Sequence, residues 1–182
     1  MGTASQFAGD IREGRFDRGL AAVYPGTYRE ERPRLADLAG ELGRRFGGEH
    51  IHLFSAPGRT ELGGNHTDHN AGRVLAASVS LDTVAAVAAR EDDLVELVSE
   101  GYEDLIRVDL GVLEPEEREH GRPEALIRGV AGYLQAAGYV VGGFSAVVTS
   151  RVGSGSGVSS WAAFEVLIGE IFWVVYNGGR LC

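Results

Sequence analysis

The chain has 182 residues, enough for one domain with its own core, and its 44% hydrophobic and 24% charged composition is that of a water-soluble globular protein. Seventeen Lys and Arg against 26 Asp and Glu give a net charge of −9, which repels a polyphosphate backbone at long range, so nucleic acid is not expected as a partner. The single cysteine, Cys182, forms no internal disulfide and fits a reducing compartment; without a signal-peptide segment or an apolar run of the ~20 residues a bilayer needs, a cytoplasmic location and no membrane partner are expected.

Residues 1–48 read as a helical lead. Within it Leu35, Leu38, Leu42 and Phe46 recur at helical spacing, which predicts an amphipathic helix over residues 30–46 with Pro33 in its first turn and Gly47 and Gly48 as its stop. His50–Ala56 reads as a short strand ending at Pro57. Val74–Ala89, rich in Val, Ala and Thr with Asp82 inside, reads as a second strand, and Leu94–Ser99 as a third. Leu113–Gly121 is a charged loop with a short helical turn. Pro123 then opens a helix whose apolar face is Leu126, Ile127, Val130, Tyr133, Leu134 and Ala137, closed by Gly138. Phe144–Thr149 is a buried strand, and helical spacing resumes from Ser159 to Tyr176 through Phe164, Leu167, Ile168, Ile171 and Phe172. No repeat or long linker divides the chain, so residues 1–182 form a single domain.

Between the last strand and the last helix stands SRVGSGSGVSS, residues 150–160. A glycine-rich segment before a helix offers free N–H groups at the positive end of the helix dipole, and missing side chains let a phosphate come close. Gly153, Gly155 and Gly157 would supply the cradle, and Ser154, Ser156, Ser159 and Ser160 the hydroxyls for phosphate oxygens or Mg²⁺. No Lys follows the glycines, which argues against a P-loop NTPase. The plain alternative is a flexible surface turn.

A second stretch, APGRTELGGNHTDHNAG at residues 56–72, gathers Arg59, Glu61, Asn65, His66, Asp68, His69 and Asn70 in a short span. Carboxylates and amides at this density suit the vicinal hydroxyls of a sugar, and Arg59 suits charge developing on a transferred phosphoryl group. Two other readings compete. His66, Asp68 and His69, with the H-x-H of His50 and His52, resemble half of a zinc-hydrolase ligand set, with His120 or Cys182 left to complete it. Alternatively the Asn and Asp side chains cap their own turn.

Taken together, the two stretches resemble the galactokinases of the GHMP small-molecule kinase superfamily. The family's sugar signature, G-R-x-N-x-I-G-E-H-T-D-Y-N-x-G-x-V-L, is matched along Gly58–Leu75, and its phosphate loop, near P-x-G-x-G-L-S-S-S-A, along Val152–Ala162 after the strand GFSAVV. The similarity runs from about Tyr24 to Leu181. It implies an α+β fold, the GHMP kinase N-terminal domain (ribosomal S5 domain 2-like, a mixed sheet with helices on one side), without the family's C-terminal ferredoxin-like domain. Residues 1–48 would be the helical lead, 49–75 the sugar signature, and 144–176 the strand, phosphate loop and helix.

The resemblance further implies ATP-dependent phosphorylation of galactose at its anomeric hydroxyl. Arg59 would stabilise the transferring phosphoryl group, and Asn65, His66, Thr67 and Asp68 would hold the sugar. Gly153, Ser154, Gly155, Ser156, Gly157, Ser159 and Ser160 would bind ATP, with Ser160 at the Mg²⁺. Asn65 stands where the family has Glu, which leaves the sugar open, and Glu61 and His69 depart from its Asn and Tyr as in a bacterial subgroup reading GRTE-x-GGNHTDH. Trp161 replaces the loop's third Ser, and an indole there must either swing away or obstruct the phosphate or Mg²⁺ position. The family's catalytic Asp, in a G-x-M-D-Q segment, and its Mg²⁺-binding Glu do not occur among these residues, so the chain alone is expected to be nearly inactive, and its apolar ending FWVVYNGGRLC to self-associate. A non-catalytic sugar and nucleotide sensor, or a kinase for another sugar, are the alternative readings.

Overall fold

The computed structural model describes residues 2–64, 71–100, 104–152 and 160–179. Three helices form the N-terminal lead: α1 (Ala4–Arg12), α2 (Asp17–Val23) and α3 (Tyr28–Phe46). A capping box starts α1, with the Thr3 hydroxyl accepting from the Gln6 amide and the Gln6 side chain accepting from the Thr3 amide. Ala4, Ala8 and Ile11 of α1 then pack on Leu35, Ala36, Ala39 and Leu42 of α3. Gly43 permits this approach, since a Cβ there would stand 2.7 Å from that of Ala4. Helix α3 starts earlier than residue 30, with Glu30 and Glu31 in its first turn and Arg44 and Arg45 in its last, as the helix dipole favours. Pro33 accordingly lies inside the helix rather than in its first turn, at the cost of one early backbone hydrogen bond.

Five strands follow in the order β1-β2-β5-β3-β4 across one sheet: β1 (His52–Gly63), β2 (Leu75–Ala89), β3 (Leu94–Ser99), β4 (Ile106–Asp109) and β5 (Phe144–Ser150). All neighbours are antiparallel except β3 and β5, which run parallel, so the sheet is mixed as expected. β1 does not stop at Pro57. It is an edge strand, and a proline there can turn its missing donor away from the ladder. A 3₁₀ turn at Glu117–Glu119 precedes α4 (Pro123–Ala136), and α5 (Ser160–Asn177) closes the described chain.

Helices cover both faces of the sheet, which corrects the expectation of one. On β2, Ala85 and Val87 join a core with Ile127 and Ala131 of α4 and Leu167, Ile168, Ile171 and Phe172 of α5, while Val84, Ala86 and Ala88 join a second core with α1 and α3. A strand apolar on both sides needs two covers, because each exposed large aliphatic side chain forgoes about 1.5–3 kcal/mol of burial. Phe144 and Phe172 meet edge to face at 5.5 Å in the first core. The apolar ending takes part in that core: Phe172 is fully buried, and Val174, Val175 and Tyr176 pack against it. No helix among the described residues is long and apolar enough to cross a membrane.

Candidate functional site

The β1–β2 hairpin divides into a body and an arm. From Asp82 to Ala88 β2 is buried, whereas Leu75 to Leu81 is exposed or partly so. The break falls at a register step: Pro57 pairs with Asp82, but Arg59 pairs with Ser78, so β2 spends two more residues than β1 and bulges. Arg59 is the first side chain of the arm. Its guanidinium is 38% exposed and lies 3.6 Å from the Glu61 carboxylate, so it is open to a ligand while held near one acid.

Helix α5 packs across β1 and β2, bringing the chain that follows the Gly/Ser run against the strand that carries Arg59. At the N-terminus of α5 a cavity of about 470 Å³ opens, lined by Leu97, Ile106, Pro123, Val148, Val152, Trp161 and Phe164, with Thr83, Ser99, Ser150 and Ser160 among its polar groups. Its apolar walls suit a flat ring, and the positive helix end beside Ser160 suits an anion. Thr83 and Ser150 share a 2.8 Å hydroxyl hydrogen bond in its wall. Glu100, Asp104 and Glu124 line it as well, Glu124 being paired with Arg122 at 2.9 Å. Trp161 is half exposed and forms part of this wall beside Phe164.

Beneath the hairpin, on the opposite face of the sheet, lies a buried polar network that the sequence reading missed. The Asp82 carboxylate accepts from Tyr24 at 2.6 Å, from Ser55 at 2.8 Å and from the Arg34 guanidinium at 2.9–3.0 Å. Arg34 also pairs with Glu31 at 2.9 Å, and Glu31 accepts from Arg151 at 2.6 Å. Burial raises the Tyr24 hydroxyl pKa to about 12, with its hydrogen bond to Asp82 adding to the rise. Burial works against the Arg34 charge, but Asp82 more than offsets it and leaves that pKa raised.

Of the residues singled out in the sequence, Arg59 and Ser160 are placed as described; Asn65, His66, Thr67 and Asp68, and Gly153, Ser154, Gly155, Ser156, Gly157 and Ser159, lie outside the described residues. For the zinc reading, His50 and His52 line a separate hollow with Phe7, Asp10 and Phe16 on the helical lead. Burial lowers the His52 pKa, and the neighbouring His50 lowers it further. Among the described residues no three His, Cys, Asp or Glu side chains come together as a metal site.

Comparison with known proteins gives the same two landmarks a context. Residues 42–89 match the family model described as the galactokinase galactose-binding signature. The structure of Lactococcus lactis galactokinase complexed with galactose superposes with a TM-score of 0.73 at 30% identity, covering 82% of this chain and 39% of that one. Methanococcus jannaschii mevalonate kinase (TM-score 0.59, 14% identity, 73% of this chain and 42% of that one) shares the fold. So does a putative sugar kinase from Campylobacter jejuni (0.52, 21%, 72% and 40%). The chain thus spans well under half the length of each of these proteins.

Proposed function

We propose that this chain, which carries the galactokinase galactose-binding signature on a GHMP kinase fold, supplies the sugar-binding and phosphate-binding elements of an ATP-dependent galactose kinase. The reaction is transfer of the terminal phosphoryl group of ATP to the anomeric hydroxyl, giving galactose 1-phosphate. The observation that carries this reading is the packing of α5, with the cavity at its N-terminus, against β1, which presents Arg59.

In this reading Asn65, His66, Thr67 and Asp68 hold the sugar hydroxyls. The amides of Gly153, Gly155 and Gly157 with the hydroxyls of Ser154, Ser156, Ser159 and Ser160 hold the phosphates, and the base enters the apolar cavity against Trp161 and Phe164. Arg59 donates to the phosphoryl oxygens as charge spreads over them; phosphoryl transfer is mainly positioning and electrostatics, so a fixed guanidinium there is the largest contribution this chain makes. Mg²⁺, when bound, neutralises phosphate charge. Ser160, at the helix end beside the cavity, would hold it as one oxygen donor.

Calorimetric titration of the chain with a panel of sugars, then with ATP and Mg²⁺, tests this. Galactose is expected to bind and to lose its binding in Asp68→Ala, with ATP still bound. A chain that binds neither ligand contradicts the proposal; one that binds both, inside a longer protein that forms no sugar phosphate, contradicts its catalytic half and favours a sensor.

A further inference from the structure

We infer that Asp82 is a positioning residue that holds the strand leading to Arg59 and the segment leading to the Gly/Ser run in fixed relation. The inference rests on the sugar-kinase reading of those two segments. Asp82 is 4% exposed and sits at the last buried position of β2 before the arm, opposite Pro57. From there it reaches both segments at once. Its carboxylate accepts from Ser55 of β1, four residues before Arg59. Its backbone carbonyl accepts at 2.8 Å from the amide of Arg151, two residues before Gly153.

The side chain of Arg151 closes the loop by a second route. It donates to Glu31, Glu31 pairs with Arg34, and Arg34 grips both oxygens of Asp82. Two guanidiniums thus face two carboxylates, with the Tyr24 hydroxyl as a further donor to Asp82, so the cluster is charge-balanced; Arg34, Asp82 and Glu31 are buried and Arg151 lies at the surface. A core built only for stability could fill this space with aliphatic side chains, since a buried ion pair gives little net stability over a well-packed apolar one. Directional bonds differ in that they fix angle and register, which apolar packing does less sharply. Asp82 applies them where the hairpin changes register and where β5 ends. A shift of either segment moves the groups proposed to touch sugar or phosphate, and displacements on the order of 1 Å are enough to spoil such geometry.

The branches can be cut separately. Ser55→Ala removes the side-chain tie to β1 beyond the backbone ladder, and Arg151→Met the side-chain tie near the Gly/Ser run, while Asp82→Asn weakens the hub. Affinities for galactose and for ATP with Mg²⁺ are measured calorimetrically on each variant, well below its melting temperature. Ser55→Ala is expected to weaken galactose alone and Arg151→Met ATP alone. Asp82→Asn should weaken both by roughly tenfold, the scale of one charge-assisted hydrogen bond. A merely structural role would lower melting temperatures without that split. If Asp82→Asn does not fold, the two branch variants decide the matter by themselves. Wild-type affinities in the variants, or equal losses of both ligands in each branch variant, overturn the inference while leaving the sugar-kinase reading intact; a wild-type chain that binds neither ligand overturns that reading, and this inference with it.

Discussion

Among the described residues, two clusters around buried guanidiniums share their chemistry but differ in reach. Arg34 and Asp82, with side chains 15% and 6% exposed, are joined across 48 positions of sequence, and their cluster ties together α3, β1, β2 and Arg151 just past the end of β5. Arg128 and Glu119, at 5% and 8%, are only nine positions apart. There the guanidinium takes Glu119 at 2.7 Å and Glu116 at 3.2 Å and donates to the carbonyls of Asp109 and Val112, closing the loop after β4 onto α4. One cluster sets the relation between distant strands and the other seals a local turn. Burial and charge pairing are shared, so what separates a positioning network from a stabilising one is which segments it joins.

That comparison can be broken by substitution. Asp82→Ala leaves Arg34 largely buried without its main partner and is expected to cost about 3–5 kcal/mol in urea unfolding, with loss of ligand affinity. Arg128→Met strands the buried Glu119 and two carbonyls, and about 2–3 kcal/mol is expected to go, with galactose and ATP affinities unchanged. Should Arg128→Met weaken ligands as much as Asp82 substitutions do, the distinction fails.

Solution pH separates the clusters too. The Tyr24 hydroxyl has its pKa raised to about 12, so the stability it contributes is whole below its unfolded value near 10 and is lost as pH rises between about 10 and 12. Glu119 is shifted the other way: its hydrogen bond from Arg128 holds its pKa below the ordinary range despite opposing burial, so its contribution is present above that range and is lost as pH falls from there through its lowered value. Tyr24→Phe should therefore cost about 1 kcal/mol at neutral pH and flatten the alkaline limb of the stability curve, while Arg128→Met flattens the acid limb. The smallest effect on folding is expected from Arg59→Ala. Its side chain is more than a third exposed and belongs to the arm, so unfolding should shift by no more than about 0.5 kcal/mol, while in a longer protein that carries out phosphoryl transfer the rate should fall roughly 10³-fold.

Much of the fold was legible because its signals are local. β3 matches the predicted Leu94–Ser99, and α4 starts at the predicted Pro123, where alternation, helical spacing and the proline cue lie within one element. β4 escaped because four residues, Ile106–Asp109, are too few to establish a period. The extension of β1 past Pro57 escaped because a strand's place at a sheet edge is a tertiary fact. The two-sided helical cover was readable in principle: Val84–Ala88 is an unbroken apolar run, which needs burial on both faces.

The candidate site was legible to a different degree. Arg59 and Ser160 stood out through their motifs, and the exposed arm and the cavity beside α5 give them a setting that sequence spacing did not supply. Asp82 was visible as an acid inside an apolar strand, yet its partners Tyr24, Arg34 and Ser55 lie 58, 48 and 27 positions away, beyond any local pattern. Trp161 shows the converse. In the motif it stands where the family has Ser; in the fold its ring borders a cavity built from strands and helices far apart in sequence.

The most direct test is a crystal structure of the chain soaked with galactose and a non-hydrolysable ATP analogue. The account predicts the sugar beside Arg59 and the nucleotide base in the cavity under Trp161, with the anomeric oxygen within about 3–3.5 Å of the terminal phosphorus. Galactose and nucleotide bound at opposite ends of the sheet, or Arg59 turned away from both, would contradict it.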